Sequence, residues 1–347
     1  MLAGQVVGGD GVLIEVDGPR IAAVRSSARA PSRWLVPGFV DLQCNGIEDV
    51  DVAAASGADW DRLDRLLLAG GTTTWCPTLT TAPLEDYGPR LASIAAAARR
   101  PCAGRPHIAG AHLEGPFLGG APGVHPVELL RPIDLGWLAD LPPVVRMVTL
   151  APELDDAPRA ITELTDRGVL VALGHGAPEL TQVDEAVGAG AGMVTHLFNG
   201  MPPFHHRRPG LVGAGLTDDR LVAGLIADLV HTHPAALRLA FAAKGSGGVA
   251  LVTDCVAAGS RSSDGAVRRA DGVLAGTSLT MVEAVRNVVG AGVGLGAAVA
   301  AASATPARLL GAADRGCLAA GARADIVALT DDLDVEAVWV GGERVVG

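Results

Sequence analysis

HIAGAHLEGP (107–116), VLVALGHG (169–176), GMVTHLFNG (192–200) and VALVTDC (249–255) share one pattern, an apolar run of strand length that ends in a residue able to bind a metal ion. Those residues are Glu114, His175, His196 and Asp254. Continuous apolar runs are the mark of strands buried on both faces of a parallel sheet. In β/α barrels the chemistry sits at the C-terminal ends of such strands. The four segments together predict an α/β fold, a (β/α)8 TIM-like barrel with a metal-centred site at its rim.

Four more segments of the same character complete a set of eight: WLVPGFVDLQ (34–43), TTTWCPTL (72–79), VVRMVTLAP (144–152) and LVAGLIAD (221–228). In this reading HIAGAHLE (107–114) and GMVTHLF (192–198) are each one strand. Helical patterns lie between them at DWDRLDRLLLAGG (59–71), PRAITELTDRG (158–168) and LTQVDEAVGAGA (180–191), each closing on glycine as helix ends often do. A barrel takes about 250 residues, so a chain of 347 leaves room for a small second unit. Both termini are β-rich. VLIEV, Asp17-Gly18 and RIAAV read as a hairpin, and ADIVAL and VEAVWV-GG-ERVV have the same character. The expected organisation is a small discontinuous β-domain from residues 1–36 and 312–347, with the barrel at 37–311.

Composition narrows the function. A formal charge of −11 leaves no extended basic face for nucleic acid or an anionic membrane. A long uncharged run, between Arg286 and Arg308, is interrupted by Gly290, Gly292, Gly294 and Gly296, which argues against a membrane span. Cys44, Cys76, Cys102, Cys255 and Cys317 are odd in number and contain no CxxC pair, so neither a disulfide framework nor a cysteine zinc site is expected. That cysteine pattern makes a reducing cytoplasm the expected location, and the first twenty residues, which lack a basic segment followed by an apolar one, are not expected to be a secretory signal.

Glu114, His175 and His196 offer the imidazole nitrogens and carboxylate oxygen that zinc or ferrous iron accepts. Such an ion makes hydroxide available near neutral pH and polarises a carbonyl. Asp254, at the end of the eighth strand, is the candidate general base and acid. Singly, each has a structural explanation, a hydrogen-bonded histidine, a turn at the Gly-Pro after Glu114, or a helix cap at Asp254. Their joint placement on separate strand ends carries the inference.

PGFVDLQCNG, AHLEGPFL, GHGAP, THLFNGMPPFHHRRPGLVGAG, LVTD, LAGTSLTMVEAVRNVV, ATPARLLG and GARADIVAL resemble the N-acetylglucosamine-6-phosphate deacetylase family of the amidohydrolase superfamily along essentially the whole chain. Many amidohydrolases carry His-x-His on the first strand, where this chain has Gln43-Cys44-Asn45. Amides are poor zinc ligands, so the resemblance implies one divalent metal ion per subunit, Zn2+ first and Fe2+ or another transition metal as the alternatives. A carbamylated-lysine site is disfavoured, since the only lysine, Lys244, falls on an expected helix.

By the same resemblance, His125 in GGAPGVHP contacts the sugar or orients the acetamide. The backbone of Asn199 and Gly200 helps hold phosphate, and Arg207 binds phosphate, reaching across a homodimer interface. His231 contacts substrate, and Leu274, Ala275 and Gly276 run beside it. His233 has no such match, and Pro234 after it reads as a helix start. Cys44 and Cys255 are expected to point away from the metal, because side chains alternate along strands. The implied reaction is hydrolysis of the acetamide of N-acetylglucosamine 6-phosphate to glucosamine 6-phosphate and acetate. The alternatives are a deacetylase of N-acetylgalactosamine 6-phosphate or of an N-acyl amino acid, and a non-catalytic sugar-phosphate-binding barrel.

Overall fold

The computed structural model describes the chain except residues 10, 29, 30, 102, 259–263 and 271, so Cys102 lies outside the described residues. Eight parallel strands follow one another around a barrel: Phe39–Cys44, Thr72–Thr80, Ala111–Glu114, Val145–Leu150, Leu170–Leu173, Met193–Val194, Val222–Ile226 and Val249–Val252. Each pairs in parallel with the next. Helices lie between them, among them Ala58–Ala69, Ala157–Asp166, Leu180–Gly188 and Pro234–Lys244. The expected glycine stops are present, with Gly71, Gly168 and Gly190 at positive φ just after three of these helices. Among the described residues no helix is long and apolar enough to cross a membrane, and the 286–308 region forms parts of three short helices.

The apolar residues divide as the barrel requires. Val40, Leu42, Cys76, Met147, Ala172, Met193, Val222, Ala250 and Val252 pack together, with Ala307 and Leu310 against them. A larger layer joins the outer faces of the strands to the helices. The first and eighth strands share no continuous ladder. Their seam is closed by Asp254 N–H donating to the Gln43 carbonyl, by Asn45 N–H donating to the Cys255 carbonyl, and by an isolated Cys44–Cys255 bridge. Asp41 is buried in this seam, where its carboxylate accepts the Thr253 hydroxyl at 2.6 Å. Burial pushes its pKa up to about 6, against the hydrogen bonds from Thr253 and the Gln43 N–H.

Both ends of the chain build one further seven-stranded sheet, in the order 343–346, 335–340, 326–329, 34–37, 2–6, 11–17, 20–26. Gly341 and Gly342 turn the last hairpin at φ 55° and 81°, values that suit a two-residue turn. In the N-terminal hairpin Asp17 pairs with Arg20, so the turn is Gly18-Pro19, one residue later than expected.

Three strand expectations need correction. WLVPGFVDLQ is two strands, Trp34–Pro37 in the terminal sheet and Phe39–Cys44 in the barrel. The break is at Gly38, whose N–H donates to the Asp325 carbonyl and whose backbone passes so close to Thr73 that an added Cβ would sit 2.1 Å from Oγ1. HIAGAHLE also divides, into His107–Ile108 and Ala111–Glu114, at Gly110 with φ 147°. GMVTHLF keeps only Met193–Val194 as strand, because the backbone turns left-handed at His196 and Phe198.

The fold generates one prediction. Gly38→Ala should destabilise the protein by about 1–3 kcal/mol through overpacking against Thr73, seen as a lower urea midpoint with an unchanged slope. A midpoint equal to that of the parent protein would mean that the strand junction has slack.

Candidate active site

Three of the four metal-competent residues lie two positions beyond a barrel strand. His175 follows Leu173, His196 follows Val194 and Asp254 follows Val252, while Glu114 is the last residue of its strand. The three share an unusual backbone, with φ of 51°, 23° and 47°. Non-glycine residues seldom adopt positive φ, and such strain gathers at functional sites. Here the chain leaves the ladder at these points, and all four side chains line one cavity of about 260 Å3.

Within it the donor atoms converge. Nε2 of His196 is 3.0 Å and Nε2 of His175 is 3.2 Å from the same Glu114 oxygen, and the two nitrogens are 3.0 Å apart. Nδ1 of His196 is 3.1 Å from the Asn199 carbonyl, which can only accept, so Nδ1 carries a proton. In the neutral ring Nε2 then presents a lone pair to a carboxylate oxygen, an arrangement that calls for a positive charge between them. A second proton, on Nε2, supplies that charge as a cation would, and the imidazolium then donates to the carboxylate. Burial disfavours charge on His196, yet its bond to Glu114 holds its pKa above the usual value. Burial raises the Glu114 carboxyl, but hydrogen bonds from His175 and His196 outweigh this and hold it well below the usual carboxylate range. A divalent cation fits this donor set, and the backbone brace on the far side of His196 is how metal-binding imidazoles are commonly oriented.

Gln43 organises the carboxylates. Its Nε2 donates to Glu114 at 2.9 Å and to Asp254 Oδ1 at 3.0 Å, while its Oε1 accepts the Thr195 hydroxyl at 3.0 Å. Pairing register shifts between Asp41 and Cys44, a bulge of the sort that re-aims side chains near active sites. Asn45 Nδ2 donates to the same Asp254 oxygen at 2.9 Å. Burial, and secondly the negative charge of Glu114, push the Asp254 carboxyl up to about 7.

The other expected residues divide into two groups. His125, Asn199, Gly200, His231, Leu274, Ala275 and Gly276 line the same cavity. His125 is buried, with Nδ1 2.8 Å from the Thr81 hydroxyl and its ring edge-on to His175; burial pushes its pKa down to about 3. Gly200 has φ 59°, and a Cβ there would be 2.7 Å from His175 Nδ1, so both conformation and space require glycine. Arg207 is not brought into the cavity of its own chain. It lies on an exposed loop, with its guanidinium 3.1 Å from His206. His233 caps the helix that begins at Pro234. Cys44 and Cys255 do not line the cavity, and their sulfurs face each other.

Several supporting residues escaped the sequence reading. Asp228 accepts the Nδ1–H of His231 at 2.6 Å, which turns Nε2 outward. Its position two residues beyond the Val222–Ile226 strand was a usable signal. His112 is buried between the hydroxyls of Thr78 and Thr149, and burial takes its pKa down to about 4. Nothing in its local sequence separated it from the ligand histidines.

Comparison with known proteins agrees with this geometry. The family model described as "Amidohydrolase family" matches residues 34–345. The N-acetylglucosamine-6-phosphate deacetylase of Bos taurus is 41% identical, over 90% of this chain and 83% of its own length. The N-acetylgalactosamine-6-phosphate deacetylase of Escherichia coli O157:H7 is 36% identical, over 96% of this chain and 92% of its own. The Mycobacterium smegmatis N-acetyl-D-glucosamine-6-phosphate deacetylase, solved as a mutant in complex with N-acetyl-D-glucosamine-6-phosphate, superposes with a TM-score of 0.91 at 34% identity, covering 100% of this chain and 99% of that one. On the extent of the family match and the identity of these relatives, the chain belongs to the amidohydrolase family.

Proposed function

We propose that this protein hydrolyses the acetamide of N-acetylglucosamine 6-phosphate, releasing glucosamine 6-phosphate and acetate. The observation that carries the reading is the convergence of Glu114, His175 and His196 on one point, with Asp254 in the same cavity. The relatives with this activity supply the substrate. Glu114, His175 and His196 would hold one divalent cation, Zn2+ by preference for a nitrogen-rich set with one carboxylate. When bound, the ion lowers the pKa of a water to about 7 and polarises the substrate carbonyl.

The protein's own groups do the rest. Gln43 and Asn45 both donate to Oδ1 of Asp254, which leaves Oδ2 to take the proton of the attacking water and return it to the leaving amine. His125 is neutral at working pH; with the Thr81 hydroxyl donating to its Nδ1, Nε2–H serves as a donor to the developing oxyanion. His231, held by Asp228, meets the sugar, and the chain at 274–276 forms the wall beside it. The backbone at Asn199 and Gly200 and the Arg207 of a second copy hold the phosphate, so the working unit is a homodimer. A positive contact is needed because the chain carries a net charge of −11, and each charge-assisted hydrogen bond contributes about 1.5–3 kcal/mol. We assign the barrel to residues 38–311 and the terminal β-unit to 1–37 and 312–347, one residue later than expected because Pro37 ends a strand of the terminal sheet. A cytoplasmic location suits the free thiols at the four described cysteines. The 36% identical relative acting on the galactose epimer makes that sugar the second substrate to assay.

The decisive assay is acetate release by chelator-stripped protein, with and without one equivalent of Zn2+, on the phosphorylated sugar, its galactose epimer and the unphosphorylated sugar. Zinc-dependent release confined to phosphorylated substrate is expected; release that ignores the phosphate, or none from zinc-loaded protein, rejects the reading. Asp254→Asn should keep its metal by elemental analysis and lose about 10²–10⁴-fold in kcat. In the parent enzyme kcat/KM should fall as pH drops through the Asp254 pKa. That limb should lie at or below about 7, since a cation lowers this pKa as His196 and His231 do. His196→Ala should lose the metal, and full occupancy would remove His196 from the ligand set. Arg207→Ala should raise KM for phosphorylated substrate about tenfold or more, and an unaltered preference for phosphate would refute its assignment.

A further inference from the structure

Cys44 and Cys255 occupy the seam where the first and last strands of the barrel meet. They are partners in an isolated parallel bridge, and the N–H groups of Asn45 and Gly46 donate to the Cys255 carbonyl at 2.8 and 3.1 Å. Their sulfurs are 3.2 Å apart, with Cys44 fully buried and Cys255 3% exposed. Bridge partners have the close Cα spacing that a disulfide requires. The hydrolytic mechanism uses neither thiol.

A second metal site is the competing use, since a carboxylate oxygen of Asp41 and the two sulfurs lie within 4.8 Å of one another. The bonding around Asp41 argues against it. One carboxylate oxygen already accepts the N–H groups of Gln43 and Thr253, and the other accepts the Thr253 hydroxyl. Two thiolates there would add negative charge beside a buried carboxyl, and the hydrogen bond from Cys255, with burial, already holds the Cys44 thiol far above its usual pKa. An uncharged covalent product avoids that cost.

We propose that Cys44 and Cys255 form a dithiol that a hydroperoxide oxidises to an intramolecular disulfide, and that this reversibly lowers hydrolytic activity. Cys255, the less buried of the two, reacts first. Its sulfur attacks the distal peroxide oxygen, the O–O bond breaks, and the thiol proton leaves with the alkoxide as alcohol. The resulting sulfenic acid faces Cys44, whose sulfur forms the S–S bond as the S–O bond breaks; hydroxide leaves with the Cys44 proton as water. Two thiols lose two electrons and one hydroperoxide gains them.

The effect on the active site follows from sequence adjacency. Gln43 and Asn45 flank Cys44 and hold Asp254, which itself precedes Cys255. Drawing the sulfurs from 3.2 Å to the S–S bond length of about 2.05 Å shifts both strand ends that carry these contacts. The covalent event is independent of the proposed substrate, and only the activity readout rests on the deacetylase reading.

The test treats zinc-loaded protein with excess hydrogen peroxide, unfolds and alkylates it, and maps tryptic peptides. Peptides 34–62 and 245–261 each contain one cysteine. They should appear cross-linked and two hydrogens lighter, with kcat/KM reduced about fivefold or more and restored by a phosphine reductant. Cys255→Ala, or Cys255→Ser if that variant does not fold, should give no cross-link and keep its activity under the same exposure. Both thiols remaining alkylatable, or Cys255 stopping as sulfinic acid, would overturn the disulfide. A cross-linked enzyme of full activity, or equal inactivation of the alanine variant, would overturn its control of the site.

Discussion

Two carboxylates share the floor of this cavity, and the amide of Gln43 makes that tolerable. Glu114 and Asp254 repel each other, and the charge on Glu114 is one reason the Asp254 carboxyl titrates so high. Gln43 gives one N–H to each and anchors its oxygen on Thr195, so all its strong hydrogen-bonding groups are committed. A histidine at this position could bind metal but could not give two N–H bonds from one nitrogen. Replacing a potential ligand with a double donor therefore suits a site with one cation and one proton-carrying carboxylate.

The same contacts close the barrel. Around most of the sheet, neighbouring strands pair by regular ladders, whereas the first and last meet through side chains and a few N–H groups from Asp41 to Asn45 and from Thr253 to Cys255. The active-site floor and the seam are one structure. A bulge that breaks the ladder lets Gln43 turn inward, and the left-handed turn at Asp254 lets its carboxylate meet the amide. Regular pairing there would leave neither side chain so placed.

Much of the architecture was legible because burial on both faces makes parallel strands continuous apolar runs, and each of the eight contains or overlaps such a run. The metal-competent residues were legible because they stand where the runs stop. Strand limits were harder to read. Pro37-Gly38 and Gly110 lie inside apolar stretches, and the breaks show only in the structure, in the Gly38 contacts with Asp325 and Thr73 and in the φ of 147° at Gly110. The role of Asp228 is fixed by a hydrogen bond to His231, and that of His112 by two threonines on other strands, so neither can be read from neighbours in sequence.

By itself the sequence determined the alternation of strands and helices, the pairing of two β-rich termini and the chemical types gathered at the strand ends, because these depend on local hydrophobicity and residue identity. Only the tertiary structure decided that Glu114, His175 and His196 aim at one point, that Arg207 stays out of its own chain's cavity, and that Cys44 meets Cys255. These are distances between residues separated by tens to hundreds of positions. They depend on barrel curvature, strand register and left-handed turns, and a one-residue change in register would redirect every one of them.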